Sequence, residues 1–207
     1  MPKTEKSKKK NNLKEIIILT FIFILIFSLT FYSIFKIINK KNTTDYYGIK
    51  FVKKSQSGIT YYEATFKDTY GEDFTFNFLN NPYDLEDIEI NGKIELKNNT
   101  IIFTDPIDKC ENFYDNAIAL PVFLFKTTKT NPEVRSIEGI NFSNYYLSND
   151  TFVYVKKIGT LGQTSIDKTD AGYIIYVKNC EIEKSFERFI LAAYLNKQNI
   201  TLQNQKI

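Results

Sequence analysis

A run of twenty residues, 16–35, carries no charge, no Gly and no Pro and is built almost wholly of Ile, Phe and Leu. At about 1.5 Å per residue, a helix of that length spans roughly 30 Å, the thickness of a bilayer's hydrocarbon core. Each Ile, Leu or Phe contributes roughly −0.3 to −0.6 kcal/mol at mid-membrane. Their sum, on the order of −6 kcal/mol, outweighs the small costs of Thr20, Ser28, Thr30 and Ser33. A soluble helix of this length would show a polar stripe, and this one has none. A cleaved signal peptide has a shorter apolar run and a small-x-small exit. Here the exit reads Ile34-Phe35-Lys36-Ile37-Ile38-Asn39. A pilin-type leader would need Gly or Ala before the helix, and Asn11-Asn12-Leu13-Lys14 offers neither. The sequence predicts a single-pass signal anchor over residues 16–38, after a basic, disordered tail over 1–15.

Lys3, Lys6, Lys8, Lys9, Lys10 and Lys14 precede the span, against Glu5 and Glu15. By the positive-inside rule the N-terminus is cytoplasmic and the C-terminal part lies outside, although Lys36, Lys40 and Lys41 on the far side oppose this. The net charge of +3 hides two halves: residues 1–44 hold nine Lys and two Glu, or +7, so the remainder carries −4. An acidic outer part disfavours nucleic acid, whose binding needs clustered Lys and Arg. The lipid bilayer is the expected partner, with envelope or membrane proteins beside it.

The chain has no His and two Cys. That removes Ser-His-Asp and Cys-His catalysis, His-ligated metals, Cys₄ zinc and thiolate-held iron–sulfur clusters, and no cofactor is expected. Its richness in Ile, Phe, Tyr, Asn and Lys is what an A+T-rich genome would encode.

After a tether over 39–45, residues 46–207 suffice for one compact domain. Strands are expected over 46–54, 59–67 and 74–78, the last from Phe74, Phe76 and Phe78 alternating with polar residues, as an antiparallel meander. Turns fall at Ser55-Gln56-Ser57-Gly58 and over 68–73. Asn81-Pro82-Tyr83-Asp84-Leu85-Glu86-Asp87 fits one helical turn capped by Asn81, with Pro82 first in the helix. Asn91-Gly92 and Asn98-Asn99 are hairpin signals, and a ladder of 93–97 with 100–104 is expected. A helix over 108–125, kinked or split at Pro121, follows. Strands near 134–140, 151–157, 163–167 and 173–178 and a closing helix over 183–196 complete an α+β domain with a mixed, mainly antiparallel sheet and two packed helices.

The single N-terminal span, Asn81-Pro82-Tyr83-Asp84-Leu85-Glu86-Asp87-Ile88, Ile101-Ile102-Phe103-Thr104-Asp105-Pro106 and Asn179-Cys180 together resemble uncharacterised single-span membrane-anchored proteins of small-genome archaea. The resemblance covers most of the outer domain and transfers no activity.

Cys110 and Cys180 are candidates for a disulfide, which would close a loop of about 70 residues worth roughly 4 kcal/mol; two separate, reduced cysteines are the alternative. Asp105 and Asp108, after a strand and before a helix, lie where ligands bind in open α/β sheets, though helix capping explains them equally. Asp84, Glu86, Asp87 and Glu89 suit Ca²⁺ or acid–base work only if they converge, and along a turn they splay. Ser165-Ile166-Asp167-Lys168 matches Ser-x-x-Lys, but in a strand, with Ser148-Asn149-Asp150 and Lys157-Ile158-Gly159 out of order, the match reads as chance. Asn42, Asn98, Asn141, Asn149 and Asn199 begin Asn-x-Ser/Thr acceptors. Tyr46-Tyr47, Tyr61-Tyr62 and Tyr145-Tyr146 could stack on sugars, or place one ring inside and one outside. The expectation is a non-enzymatic binding or scaffolding module of the envelope. The alternatives are a carboxylate-dependent hydrolase using Asp105 and Asp108, and an accessory subunit of a membrane complex.

Overall fold

A computed structural model describes residues 5–104, 113–128, 130–136, 149–159, 162–200 and 205–206. The chain divides into two units, Met1–Thr44 and Asp45–Ile207. The first is helix α1, Glu5–Lys41. Within it, Ile16–Lys36 is long and apolar enough to cross a membrane, and none of it is buried by protein. The hydroxyls of Thr20 and Ser33 donate to the carbonyls of Ile16 and Leu29, both at 2.8 Å, and Thr30 donates to Phe27 at 2.8 Å. Polar groups satisfied within the helix itself are what a hydrocarbon environment demands. Helix extends back to Glu5 through the tail expected to be disordered. Once the apolar segment has nucleated a helix, Lys and Glu propagate it at little cost. It also takes up the first part of the expected tether.

After α1, β1 (Thr43–Tyr46), β2 (Ile49–Gln56), β3 (Ile59–Lys67) and β4 (Asp73–Phe78) lie in that order in an antiparallel sheet. The strand expected over 46–54 is therefore two. Tyr47 and Gly48 both have positive φ (51° and 82°), the pair a two-residue hairpin turn requires, and the Asp45 carboxylate accepts from Gly48 N–H at 3.2 Å. Ser57 and Gly58 (53° and 81°) repeat the device between β2 and β3, so the turn there is two residues rather than four. Register sets Phe51 against Ala64 and Ala64 against Phe76. Phe78 is fully buried and Phe74 and Phe76 half-buried, all packed on the core as their alternation indicates.

Residues Asp84–Asp87 form one helical turn without a side-chain cap. Asn81 accepts from Tyr83 N–H at 3.1 Å, so Asn81 and Pro82 form the preceding turn rather than the helix start.

The second sheet holds β5 (Glu89–Asn91), β6 (Asn99–Thr104), β7 (Asn131–Ser136), β8 (Thr151–Lys157), β9 (Ser165–Lys168), β10 (Gly172–Val177) and β11 (Gln205–Lys206), in the order β11-β5-β9-β10-β8-β6-β7. The domain is α+β, with two sheets where one was expected. Only β9 with β10 is antiparallel among the described pairs of the second sheet. Its strands β6 and β8 are buried on both faces: Ile102, Val153 and Val155 join the main core, while Ile101, Phe103 and Phe152 cluster on the other side. Parallel strands buried on both faces read as continuous apolar runs.

The ladder expected between 93–97 and 100–104 does not form. Residues 93–97 belong to no strand, and β6 pairs with β7 and β8 instead. The reason is competition for hydrogen bonds. Tyr173 on β10 accepts from Glu95 N–H at 2.6 Å and reaches the carbonyls of Lys93 and Glu95 at 3.1 Å, and Thr151 on β8 accepts from Lys97 N–H at 2.8 Å. Side chains of the sheet do for this segment what a partner strand would do.

Helix α2 (Phe113–Thr128) has Pro121 inside it and is not split there. Helix α3 (Ile182–Lys197) is buried at nearly every position, as a helix lodged between other layers must be. Tyr194 packs edge-on against Phe66 of the first sheet, and Phe189 against Tyr173 of the second. Phe123 of α2 joins Phe66, Phe74 and Phe76 in one aromatic cluster.

Where β10 enters beside β8, a Cβ on Gly172 would lie 1.9 Å from the Phe152 carbonyl oxygen. Replacing Gly172 with Ala must push two paired strands apart. The expected loss is about 2 kcal/mol, read as a lower midpoint in denaturant unfolding with unchanged slope.

Candidate functional site

Of the candidate site residues singled out in the sequence, Asp105, Asp108, Cys110, Asn141, Tyr145, Tyr146 and Ser148 lie outside the described residues. Cys180 is disulfide-bonded, and the chain's other cysteine is Cys110. Asn179 and Cys180 both sit at positive φ (50° and 60°) between β10 and α3. Asn42, Asn98, Asn149 and Asn199 are exposed.

The acidic cluster does not converge on a common point. Asp87 is 81 % exposed and pairs with Lys184 across 3.5 Å, while Asp84 projects into solvent. Among the described residues no group of acids, with or without Cys, is placed to hold a metal ion. Ser165 and Lys168 stand three apart on β9, a spacing that puts them on opposite faces of a strand, and Lys168 reaches Glu95 at 3.7 Å. Tyr46 is fully buried and Tyr47 packs on it edge-on, the ordinary inside–outside division of a tyrosine pair.

Two features that the sequence did not flag are better built. The first is a polar cluster under α3. The Glu187 carboxylate accepts from Leu79 N–H, from Asn80 N–H at 3.1 Å and from the Asn80 side-chain amide at 2.9 Å. Burial pushes its pKa up to about 7, against the opposing pull of those donors. The next residue, Arg188, is wholly buried; it donates to the Ile88 carbonyl at 3.2 Å and to the Tyr46 hydroxyl at 2.9 Å. Burial raises the Tyr46 pKa, and Arg188 beside it pulls the other way. Adjacent charges on one helix thus hold the end of β4, the start of the first sheet and the turn at Ile88. A solvated Glu-Arg pair would look identical in sequence, since Glu183, Lys184, Glu187 and Arg188 fall on one side of the helix.

The second feature surrounds residues 93–97. On one side a cleft of about 230 Å³ is lined by Glu95, Lys97, Thr151, Lys168, Asp170 and Tyr173 among others. Burial pushes the Tyr173 phenol up to about 12, so it keeps the proton it shares with the segment's carbonyls. On the other side a second cleft of about 230 Å³ runs between the segment, the end of α2 at Thr128, and Ala193, Asn196 and Lys197 of α3. Lys197 caps α2 by donating to the Thr127 carbonyl.

In the first cleft Glu95 and Lys168 form an ion pair across 3.7 Å. Glu95, at the rim of both, is held below the usual carboxylate range by Lys93, with Lys168 adding to the effect, and its side chain is 59 % exposed. What the arrangement offers a ligand is hydrogen-bonding groups and apolar walls. Comparison with family models, with curated proteins and with solved structures yields no match.

Proposed function

We propose that this is a single-pass membrane protein whose N-terminus is cytoplasmic, and whose outer domain is a non-enzymatic binding or scaffolding module of the cell envelope. The placement is supported by the length and apolar composition of the helix over Ile16–Lys36, followed in the chain by a unit that has a core of its own. Basic residues before the span and four exposed Asn-x-Ser/Thr asparagines agree with that orientation. One observation carries the binding role. Glu187, the described carboxylate whose pKa is raised, is committed to three N–H donors that hold the fold, and Glu95 at the clefts is held low by Lys93 and Lys168 and is largely exposed. Its partners are the bilayer and other envelope or membrane proteins, in keeping with the resemblance to anchored archaeal proteins.

Protease added to intact cells making the chain with a tag at each end tests the orientation. The C-terminal tag is expected to be lost while the N-terminal tag survives until the cells are lysed. Survival of the C-terminal tag with loss of the other contradicts the proposal.

A further inference from the structure

Strand β7 closes one end of the second sheet and, among the described residues, pairs with β6 alone. Asn131 N–H donates to the Asn98 carbonyl at 2.7 Å, which sets the parity of the strand. Asn131, Glu133 and Arg135 direct their peptide groups inward to β6, and Pro132, Val134 and Ser136 direct theirs to the open edge. Among the described residues no hydrogen bond meets the Val134 peptide there. Pro132 has no N–H and takes an outward position, where an edge strand tolerates it.

Side chains alternate along the strand in the same way. Val134 stands in register with Ile102, which enters the main core, so it lies on the face against which α2 packs. It is 43 % exposed, and Val122 and Phe125 of α2 are exposed as well. Glu133 and Arg135 share the opposite face, paired at 2.6 Å.

Charges on an edge strand ordinarily keep other strands away. Here their order favours one partner. In a second copy of β7 laid antiparallel, with the two-fold axis at Val134, the two Val134 residues exchange N–H to C=O hydrogen bonds. Each Ser136 N–H meets the Pro132 carbonyl of the other copy, and only the bonds that Pro132 cannot donate are missing. Glu133 of each copy then falls directly opposite Arg135 of the other, at the closely spaced positions of the ladder. Sliding one copy by two residues keeps the outward peptide groups matched. It sets Glu133 against Glu133 or Arg135 against Arg135, and like charges directly opposite are unfavourable. The edge is thus complementary to itself in one register and repelled in the two beside it.

We propose that β7 is a self-association edge, and that two outer domains join through an antiparallel β7–β7 pair centred on Val134 and fixed by reciprocal Glu133–Arg135 pairs. This rests on the reading of the outer domain as a binding module and names its partner as a second copy of the chain.

Two differently tagged full-length chains, made in the same cells and extracted in mild detergent, test it by capture of one tag and measurement of the other. Wild-type copies are expected to co-purify. Glu133→Arg in both copies, or Arg135→Glu in both, sets like charges across the axis and should cut the captured partner about tenfold. Glu133→Arg in one copy with Arg135→Glu in the other places opposite charges at both positions and should restore capture. Misfolded chains could not give that recovery, so the mixed pair separates lost contact from lost structure. No capture between wild-type copies, capture unchanged by either reversal, or no recovery in the mixed pair overturns the proposal. Protease protection of the tags reads orientation and this capture reads self-association, so either idea can fail without the other.

Discussion

Truncating Arg188 to Ala is expected to cost the outer domain about 4 kcal/mol. Arg188 is the largest fully buried side chain described, and its loss leaves both a cavity and two stranded groups, the Tyr46 hydroxyl and the Ile88 carbonyl. For a domain of this size that corresponds to a fall in melting temperature of roughly 10 °C or more. Arg188→Met separates the contributions. Met restores most of the volume and also removes the cost of burying a charge, so it should recover at least half of the loss. Thermal unfolding of the two variants beside wild type measures both effects. Equal damage from Ala and Met would mean that the hydrogen bonds, not the packing, hold α3 to the first sheet. No damage from either would remove Arg188 from the account.

The second large effect is a dependence on pH that runs against the usual carboxylate. Glu187 has a pKa raised to about 7 by burial, whereas in the unfolded chain it titrates near 4.5. Between those values the folded state holds a proton that the unfolded state has lost. Raising the pH through this window therefore favours unfolding, by about 3 kcal/mol in total, and the contribution is fully present only below about pH 4.5. Other carboxylates shift oppositely: Glu95 and Glu133 are held low by Lys93 and Arg135, so their small stabilisation is lost only in stronger acid. Comparing wild type with Glu187→Gln cancels them. Gln cannot ionise, and its amide nitrogen must face an N–H donor, so the variant should be less stable at pH 5 yet nearly flat from pH 5 to 7. Denaturant midpoints across that range report the difference. A wild-type profile parallel to that of the variant would contradict it.

Both residues sit on α3, and both were invisible as sites in the sequence. Phe186, Phe189, Ile190 and Ala193 announce a helix by their spacing, and the observed Ile182–Lys197 matches the expected 183–196 closely. Periodicity shows one face; it says nothing of a second layer covering the other side, which is what buries Glu187 and Arg188. The same distinction runs through the domain. β3, β4 and β8 were legible because their apolar residues alternate or run continuously between clear turns. In the sequence β1 and β2 look like one strand because Tyr47-Gly48 lacks the Asn-Gly or Asp-Gly of a familiar hairpin, although Gly48 supplies one of its two positive φ angles. The false ladder at 93–97 followed a sound local signal. Pairing depends on which long-range groups arrive, and Tyr173, some 80 residues away, claimed the segment's hydrogen bonds. Asp105 and Asp108 fall outside the described residues.

The role proposed for the outer domain depends on where α1 resides. Sedimenting lysed cells that make the full chain, then washing the pellet with alkaline carbonate and afterwards with detergent, tests this most directly. The full-length chain should remain with the carbonate-washed membranes and be released only by detergent, while a version lacking residues 1–36 should leave the membrane fraction. Full-length protein in the supernatant before any detergent is added would contradict the membrane anchor and the placement built on it.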